Sequence, residues 1–226
     1  MKIGILQAGH APDEMRPTTK NYGALCAVLL GGYGFEFDMF SVVDEQFPKD
    51  ELQADAWLIT GSRHGVYEDL PFLKPLKALI LRIVAAKKPL VGICFGHQII
   101  AQTMGGHVEK FSGGWNIGLT EYQFEGQTVR ISAWHQDQVV TLPPNARCTG
   151  SSAHCNYAFL EYEDAIFSLQ AHPEFNNAFI QGLIQFRGQK TVPQKLLQTA
   201  QSKLSNVNSN DILAEKIATF FKLEAG

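Results

Sequence analysis

Cys94 lies in Gly92-Ile93-Cys94-Phe95-Gly96, framed by two glycines, with an apolar run before it and a helix-forming run over residues 98–104 behind it. A strand that turns sharply into a helix around a nucleophile holds the sulfur in a strained backbone conformation at the edge of a sheet. The glycines remove side chains that would strike strand or helix. The same turn sets the sulfur at the positive end of the helix, which favours thiolate over thiol, and aims the Phe95 N–H at any oxyanion formed there. The plain alternative is a buried cysteine closing a core strand. Against it stands a second motif, Ala171-His172-Pro173-Glu174, at the end of a late apolar run over residues 166–169. A cysteine nucleophile needs a base, and the base needs an orienting group. With Pro173 fixing the backbone between them, His172 can face the sulfur while Glu174 holds the other imidazole nitrogen.

Other candidates read differently. His97 adjoins the elbow but is expected to point from the helix to a neighbouring strand in a structural role. Asp137, in Trp134-His135-Gln136-Asp137, is expected to be a turn acid bonded to its own backbone. The charged loop over residues 10–17 leaves the C-terminal end of the first strand, where open α/β sheets bind ligands. It reads equally as a specificity loop or as solvated surface.

Three distant stretches must meet at one edge, and the pattern of elements provides for that. Short apolar runs at 2–7, 35–42, 56–60 and 89–93 alternate with helical patterns, one over 22–30 closed by Gly31-Gly32 and one that Pro71 can open. Such alternation predicts a parallel sheet with helices over both faces. After Gly105-Gly106 come closely spaced strands at 118–124, 128–134, 157–161 and 165–171, and from Asn176 the pattern is helical again. Residues 185–210, rich in Gln, Lys, Ser and Asn, are expected to be exposed helix and turn. Without a repeat or a linker, the expectation is one catalytic domain over residues 1–226, with a C-terminal helical extension from about residue 176 to 226.

Composition narrows the function. The 19 basic and 22 acidic residues leave a net charge of -3, with no basic footprint for a nucleic-acid partner. No apolar segment approaches the roughly 20 residues that span a bilayer, and the first apolar run is too short for a signal peptide, so no membrane partner and a cytoplasmic location are expected. Cys26, Cys94, Cys148 and Cys155 form no CxxC pair and no zinc spacing with histidines, so no metal and no cofactor are expected.

The sequence resembles the class I glutamine amidotransferases, most of all the GMP synthetase-like amidotransferase domain. The resemblance rests on residues 92–98 (Gly-Ile-Cys-Phe-Gly-His-Gln), 104–109 (Met-Gly-Gly-His-Val-Glu), 134–139 (Trp-His-Gln-Asp-Gln-Val) and 170–175 (Gln-Ala-His-Pro-Glu-Phe). It implies a flavodoxin-like, three-layer α/β sandwich with a mostly parallel central sheet and a nucleophile elbow. It also implies a small-molecule substrate, glutamine or a γ-glutamyl compound, attacked by Cys94 to leave a glutamyl thioester, with His172 and Glu174 completing the triad. Gly61, Ser62 and Phe95 are then candidates for the oxyanion hole, and Gln98, His135 and Gln136 for substrate contacts. Two departures stand out: the loop after the central strand has Gly61-Ser62-Arg63 where the family usually has Gly-Gly-Pro, and Ala171 replaces an aromatic, which is expected to widen the wall beside the base.

Three functions remain open. The chain is a stand-alone hydrolase of γ-glutamyl amides, an ammonia-supplying glutaminase subunit of a separate synthase such as a GMP synthetase-type partner, or a non-catalytic binding or stress-type relative, against which His172-Pro173-Glu174 argues. The chain ends soon after that motif and carries no P-loop, so it is expected to work alone or with a separate partner. Ala171 and the loop over 10–17 together favour a leaving group larger than ammonia.

Overall fold

A computed structural model describes residues 1–225. The strands are β1 (Lys2–Leu6), β2 (Glu36–Phe40), β3 (Ala56–Ile59), β4 (Leu90–Ile93), β5 (His107–Lys110), β6 (Asn116–Phe124), β7 (Gln127–His135), β8 (Asp137–Thr141), β9 (Ala146–Ser151), β10 (Phe159–Tyr162) and β11 (Ile166–Leu169). The helices are α1 (Tyr22–Leu29), α2 (Leu73–Ala85), α3 (Phe95–Thr103), α4 (Asn177–Phe186), α5 (Gln194–Ser202) and α6 (Asn210–Glu224).

The period-two alternation of the strands builds the layers. Ile3, Ile5, Leu58, Val91, Ile93, Phe167 and Leu169 face a core closed by α1 and by Leu213, Ile217 and Phe221 of α6. Leu6, Trp57, Ile59 and Leu90 face the opposite core, closed by α2 and α3. In α2 the buried residues Leu73, Leu76, Leu79, Ile80 and Ile83 keep helical spacing, so one stripe meets the sheet. The expected three-layer α/β sandwich is therefore what forms. Nine strands run in the order β2-β1-β3-β4-β11-β10-β9-β6-β7. The first five pair in parallel, and the strands from β10 onward extend the sheet by antiparallel pairing.

Three strands escape the sequence pattern. The run of β5, His-Val-Glu-Lys, is short and half charged, and β9 carries Ala-Arg-Cys-Thr-Gly-Ser, with weak strand propensity. Separated from β7 by Gln136 alone, β8 leaves the main sheet to pair with β5 in a two-stranded sheet. The stretch 185–210 is mostly the expected exposed helix and turn, with a few buried positions. It includes α5, whose Leu197 and Ala200 are buried, and a Cβ on Gly118 would come within 2.7 Å of the Ala200 Cβ. Two apolar residues in a polar helix suffice when the facing strand offers a glycine. Among the described residues, no helix is long and apolar enough to cross a membrane.

The closest strand packing sits at Gly4, where a Cβ would lie 2.3 Å from Trp57 Cζ3, whereas one on Gly32 would meet nothing within 4 Å. Gly4→Ala should therefore cost about 1–3 kcal/mol in urea unfolding, the range for overpacking a filled core. Gly32→Ala should leave the midpoint within experimental error of the parent.

Candidate active site

Cys94 follows β4 directly, with φ 51° and ψ -101°, a left-handed backbone that non-glycine residues avoid. It is held there from both sides: its N–H donates to Leu169 O at 2.8 Å, and its carbonyl accepts from Gln98 N at 3.0 Å. The framing glycines are sterically required. A Cβ on Gly92 would approach the Gly96 carbonyl to 2.6 Å, and one on Gly96 would approach Ile59 O to 2.3 Å. Cys94 thus occupies the N-cap position of α3 without a side-chain capping bond, beside leading N–H groups that have no partner within their own helix.

Beyond β11 the chain runs to His172, whose N–H donates to Ser132 O of β7 at 2.8 Å. Its Nδ1 meets Glu174 Oε1 at 2.7 Å, both side chains being almost wholly buried. Phe175 stacks on the imidazole at 4.0 Å between centroids, with 7° between the planes. Burial alone would depress the imidazole, but the charge and hydrogen bond of Glu174, with Cys94 nearby, outweigh it and hold His172 well above the ordinary histidine value. The arrangement favours the protonated form of the His172 imidazole.

Gly61 closes the gap over this pair, since a Cβ there would lie 2.9 Å from His172 Cε1 and 3.8 Å from Cys94 Cβ. Ser62 finds room because its neighbour is Gly9, where a Cβ would sit 2.8 Å from Ser62 Cα. Cys94, Ser62, Gln98, His135 and Gln136 line one cavity of about 850 Å³. His172 and Glu174 lie behind it rather than in its lining.

Gln98 spends its amide N–H groups on the protein, donating to Asp137 O at 2.8 Å and Gln170 Oε1 at 3.0 Å, which leaves its carbonyl for a ligand. Gln136 donates to Phe111 O at 3.4 Å. His135 is buried and its pKa is pushed down to about 3, first by that burial, so it is neutral. Asp137 departs from the turn-acid expectation: its carboxylate accepts from Tyr67 OH at 2.9 Å, across the cavity mouth. His97 is buried with Nδ1 at 2.8 Å from Ser168 Oγ, outside the cavity lining, in the structural role expected of it.

The loop over 10–17 is not free surface. His10, Pro12, Asp13 and Arg16 line the cavity, while Ala11 and Met15 are buried in a third core with Tyr22, Trp134, Phe175 and Phe179. Arg187 clamps this side, donating to Tyr22 OH at 2.7 Å and His10 O at 3.3 Å. The expected effect of Ala171 is overturned: it is fully buried in the sheet core with Tyr122 and Phe159, and it does not line the cavity. Strand alternation sends Gln170 to the Gln98 side and Ala171 to the other. Tyr22, Tyr67, Phe175 and Arg187 were the residues that sequence reasoning missed, and only Phe175, inside a quoted motif, had a signal. Among the described residues, no cluster of His, Cys, Asp or Glu could hold a metal ion.

A family model described as glutamine amidotransferase class-I matches residues 30–184. Gamma-glutamyl peptidase 3 of Arabidopsis thaliana is 28% identical, covering 89% of this chain and 90% of its own. A glutamine-hydrolysing GMP synthase of Thermobifida fusca is 29% identical over 68% of this chain but only 31% of its own length. The fold matches a solved glutamine amido transferase from Methylobacillus flagellatus with TM-score 0.75 at 19% identity, covering 100% of this chain and 93% of that one.

Because Glu174 favours the imidazolium, Glu174→Gln should lower the pKa of His172 toward the ordinary histidine range. Titration of the His172 ring signals by NMR checks this, and an unchanged pKa would contradict the charge balance drawn above.

Proposed function

The chain belongs to the class I glutamine amidotransferase family, and from that premise we propose that it hydrolyses γ-glutamyl amide bonds through a triad of Cys94, His172 and Glu174. The observation that carries the reading is the buried His172–Glu174 pair, brought together with Cys94 at Gly61 behind the cavity that Cys94 lines. The Cys94 thiolate attacks the γ-carbonyl carbon of the substrate, and the electron pair of the C=O moves to oxygen. The N–H groups of Phe95 and of the Gly61–Ser62 segment receive that oxyanion. As it collapses, the C–N bond breaks and the imidazolium gives its proton to the departing nitrogen, leaving a glutamyl thioester. His172, now neutral, takes a proton from water; the hydroxide equivalent cleaves the thioester and glutamate leaves. Glu174 orients the ring and stabilises its charge throughout.

The cavity suggests how the substrate lies. The leaving nitrogen must sit beside His172, whose ring backs onto Phe175 and, behind it, Tyr22 and Arg187. The glutamyl end then falls on the side of Gln98, His135 and Asp137, where the carboxylate of Asp137 suits an α-ammonium group. On the leaving-group side Asp13 is already engaged by Arg16 and Asp44 by His10 and Ser41, while Glu14, also in the lining, has no cation partner among the described residues. Arg187 and Lys190 line the same side and, among the described residues, neither has a carboxylate partner. A leaving group that brings its own carboxylate fits this imbalance, so the proposed substrates are γ-glutamyl amino acids or short γ-glutamyl peptides. The name of the Arabidopsis relative supports the same class. Ammonia supply to a separate synthase is the second reading, favoured by the likeness to GMP synthase.

With purified chain, kcat/KM for a γ-glutamyl dipeptide should exceed that for glutamine by tenfold or more, equivalent to about 1.4 kcal/mol of transition-state discrimination. A preference for glutamine, or activity only with an added synthase, would make the second reading the better one. Cys94→Ala should retain the parent's unfolding curve and lose turnover. Replacing Arg187 by Met should raise KM for the dipeptide about tenfold, in line with a lost charge-assisted hydrogen bond, and leave glutamine within about twofold.

A further inference from the structure

The Gly61-Ser62-Arg63 loop lacks the second glycine of its family, and its neighbour Thr60 carries a hydroxyl with a defined task. Thr60 is fully buried at the end of β3. Its Oγ1 accepts the N–H of Ala8 at 3.1 Å and lies 3.0 Å from the Gly61 carbonyl oxygen, to which it donates its single proton. No peptide bond among the described residues is cis. In a trans peptide the C=O and the following N–H point in opposite directions, so a Gly61 carbonyl anchored inward on Thr60 turns the Ser62 N–H outward, into the cavity that Ser62 and Cys94 share. Gly9 leaves space for the Ser62 side chain, whose Oγ accepts from His64 N at 3.2 Å and so is drawn toward the loop.

We propose that Thr60 is a positioning residue: its hydroxyl, relayed from the Ala8 N–H to the Gly61 carbonyl, locks the Gly61–Ser62 peptide so that the Ser62 N–H serves as the second oxyanion donor beside that of Phe95. This rests on the hydrolase reading above. The oxygen of the γ-carbonyl carries full negative charge only in the tetrahedral intermediate, so a donor fixed in advance stabilises that state more than the bound amide. Thr60 lies outside the cavity lining, so its effect passes through the peptide plane.

The test compares Thr60→Val, which keeps shape and removes the hydroxyl, with Thr60→Ser, which keeps the hydroxyl, and uses Thr60→Ala should the valine variant fail to fold. On γ-glutamyl-p-nitroanilide, loss of the hydroxyl should lower kcat about tenfold to a hundredfold, approaching the loss of an oxyanion donor, with KM within about twofold. Thr60→Ser should retain near-parental kcat. Alkylation of Cys94 by iodoacetamide forms no oxyanion, so its rate should be the same in all three variants. Crystal structures of parent and Thr60→Val should differ in the orientation of the Gly61–Ser62 peptide. The proposal is overturned if Thr60→Val keeps its kcat, if kcat and alkylation fall together, or if the peptide keeps its orientation without the hydroxyl. Should the parent chain cleave no γ-glutamyl compound at all, the hydrolase reading fails, and the crystallographic comparison still decides the geometry.

Discussion

The parallel pairing of β4 with β11 is the constraint on which the rest of the site depends. Its register sets Ile93 opposite Leu169, and the ladder continues one step further, as the Cys94 N–H bonds to the Leu169 carbonyl. That bond draws a backbone with positive φ against the end of the sheet and sets the distance from the sulfur to the chain that carries His172. A one-residue slip would turn every side chain of β11 to the opposite face, sending Ala171 toward Gln98 and His172 away from the elbow. The elbow glycines and Gly61 are consequences of this closeness, since three backbones converge where a single Cβ would collide.

His172 is fixed from the other side by packing. Phe175 lies flat on the imidazole, Tyr22 stacks on Phe175 at 5.9 Å between centroids, and Phe179 of α4 meets both. Met15 from the loop over 10–17 and Trp134 from β7 complete this third core. It is therefore one apolar unit that orients the histidine ring and also anchors the loop that walls the cavity. Loop, α1, α4 and α5 are coupled to His172 through dispersion contacts, with Arg187 adding hydrogen bonds to Tyr22 OH and His10 O.

Electrostatics distinguishes three buried histidines that are otherwise similar in exposure. His97 and His135 hydrogen-bond only to neutral partners, among them Ser168 Oγ and the Asp137 carbonyl, and burial, joined at His135 by the charge of His172, holds each pKa down to about 3. His172 faces the Glu174 carboxylate and the Cys94 sulfur, and the same burial then strengthens an ion pair instead of preventing one. A low dielectric amplifies whichever partner is present, so the neighbour decides which imidazole carries charge.

Much of this was legible in the residues alone. The alternation of apolar runs with helical patterns specified the parallel half of the sheet, and the glycines around Cys94 specified the elbow, because both are local consequences of backbone sterics and period. The motif from Ala171 to Glu174 was legible for the same reason, its members being two residues apart. The polar segments β5 and β9 and the buried side of α5 were not, since weak local propensity there is overridden by a partner strand or by a facing glycine. Nor could the residues say where Ala171 points, that Asp137 bonds to Tyr67, or that Arg187 clamps the loop near His10. Each of these depends on pairing between residues far apart in the chain, whose register and facing are settled only when the whole sheet and its third core have closed.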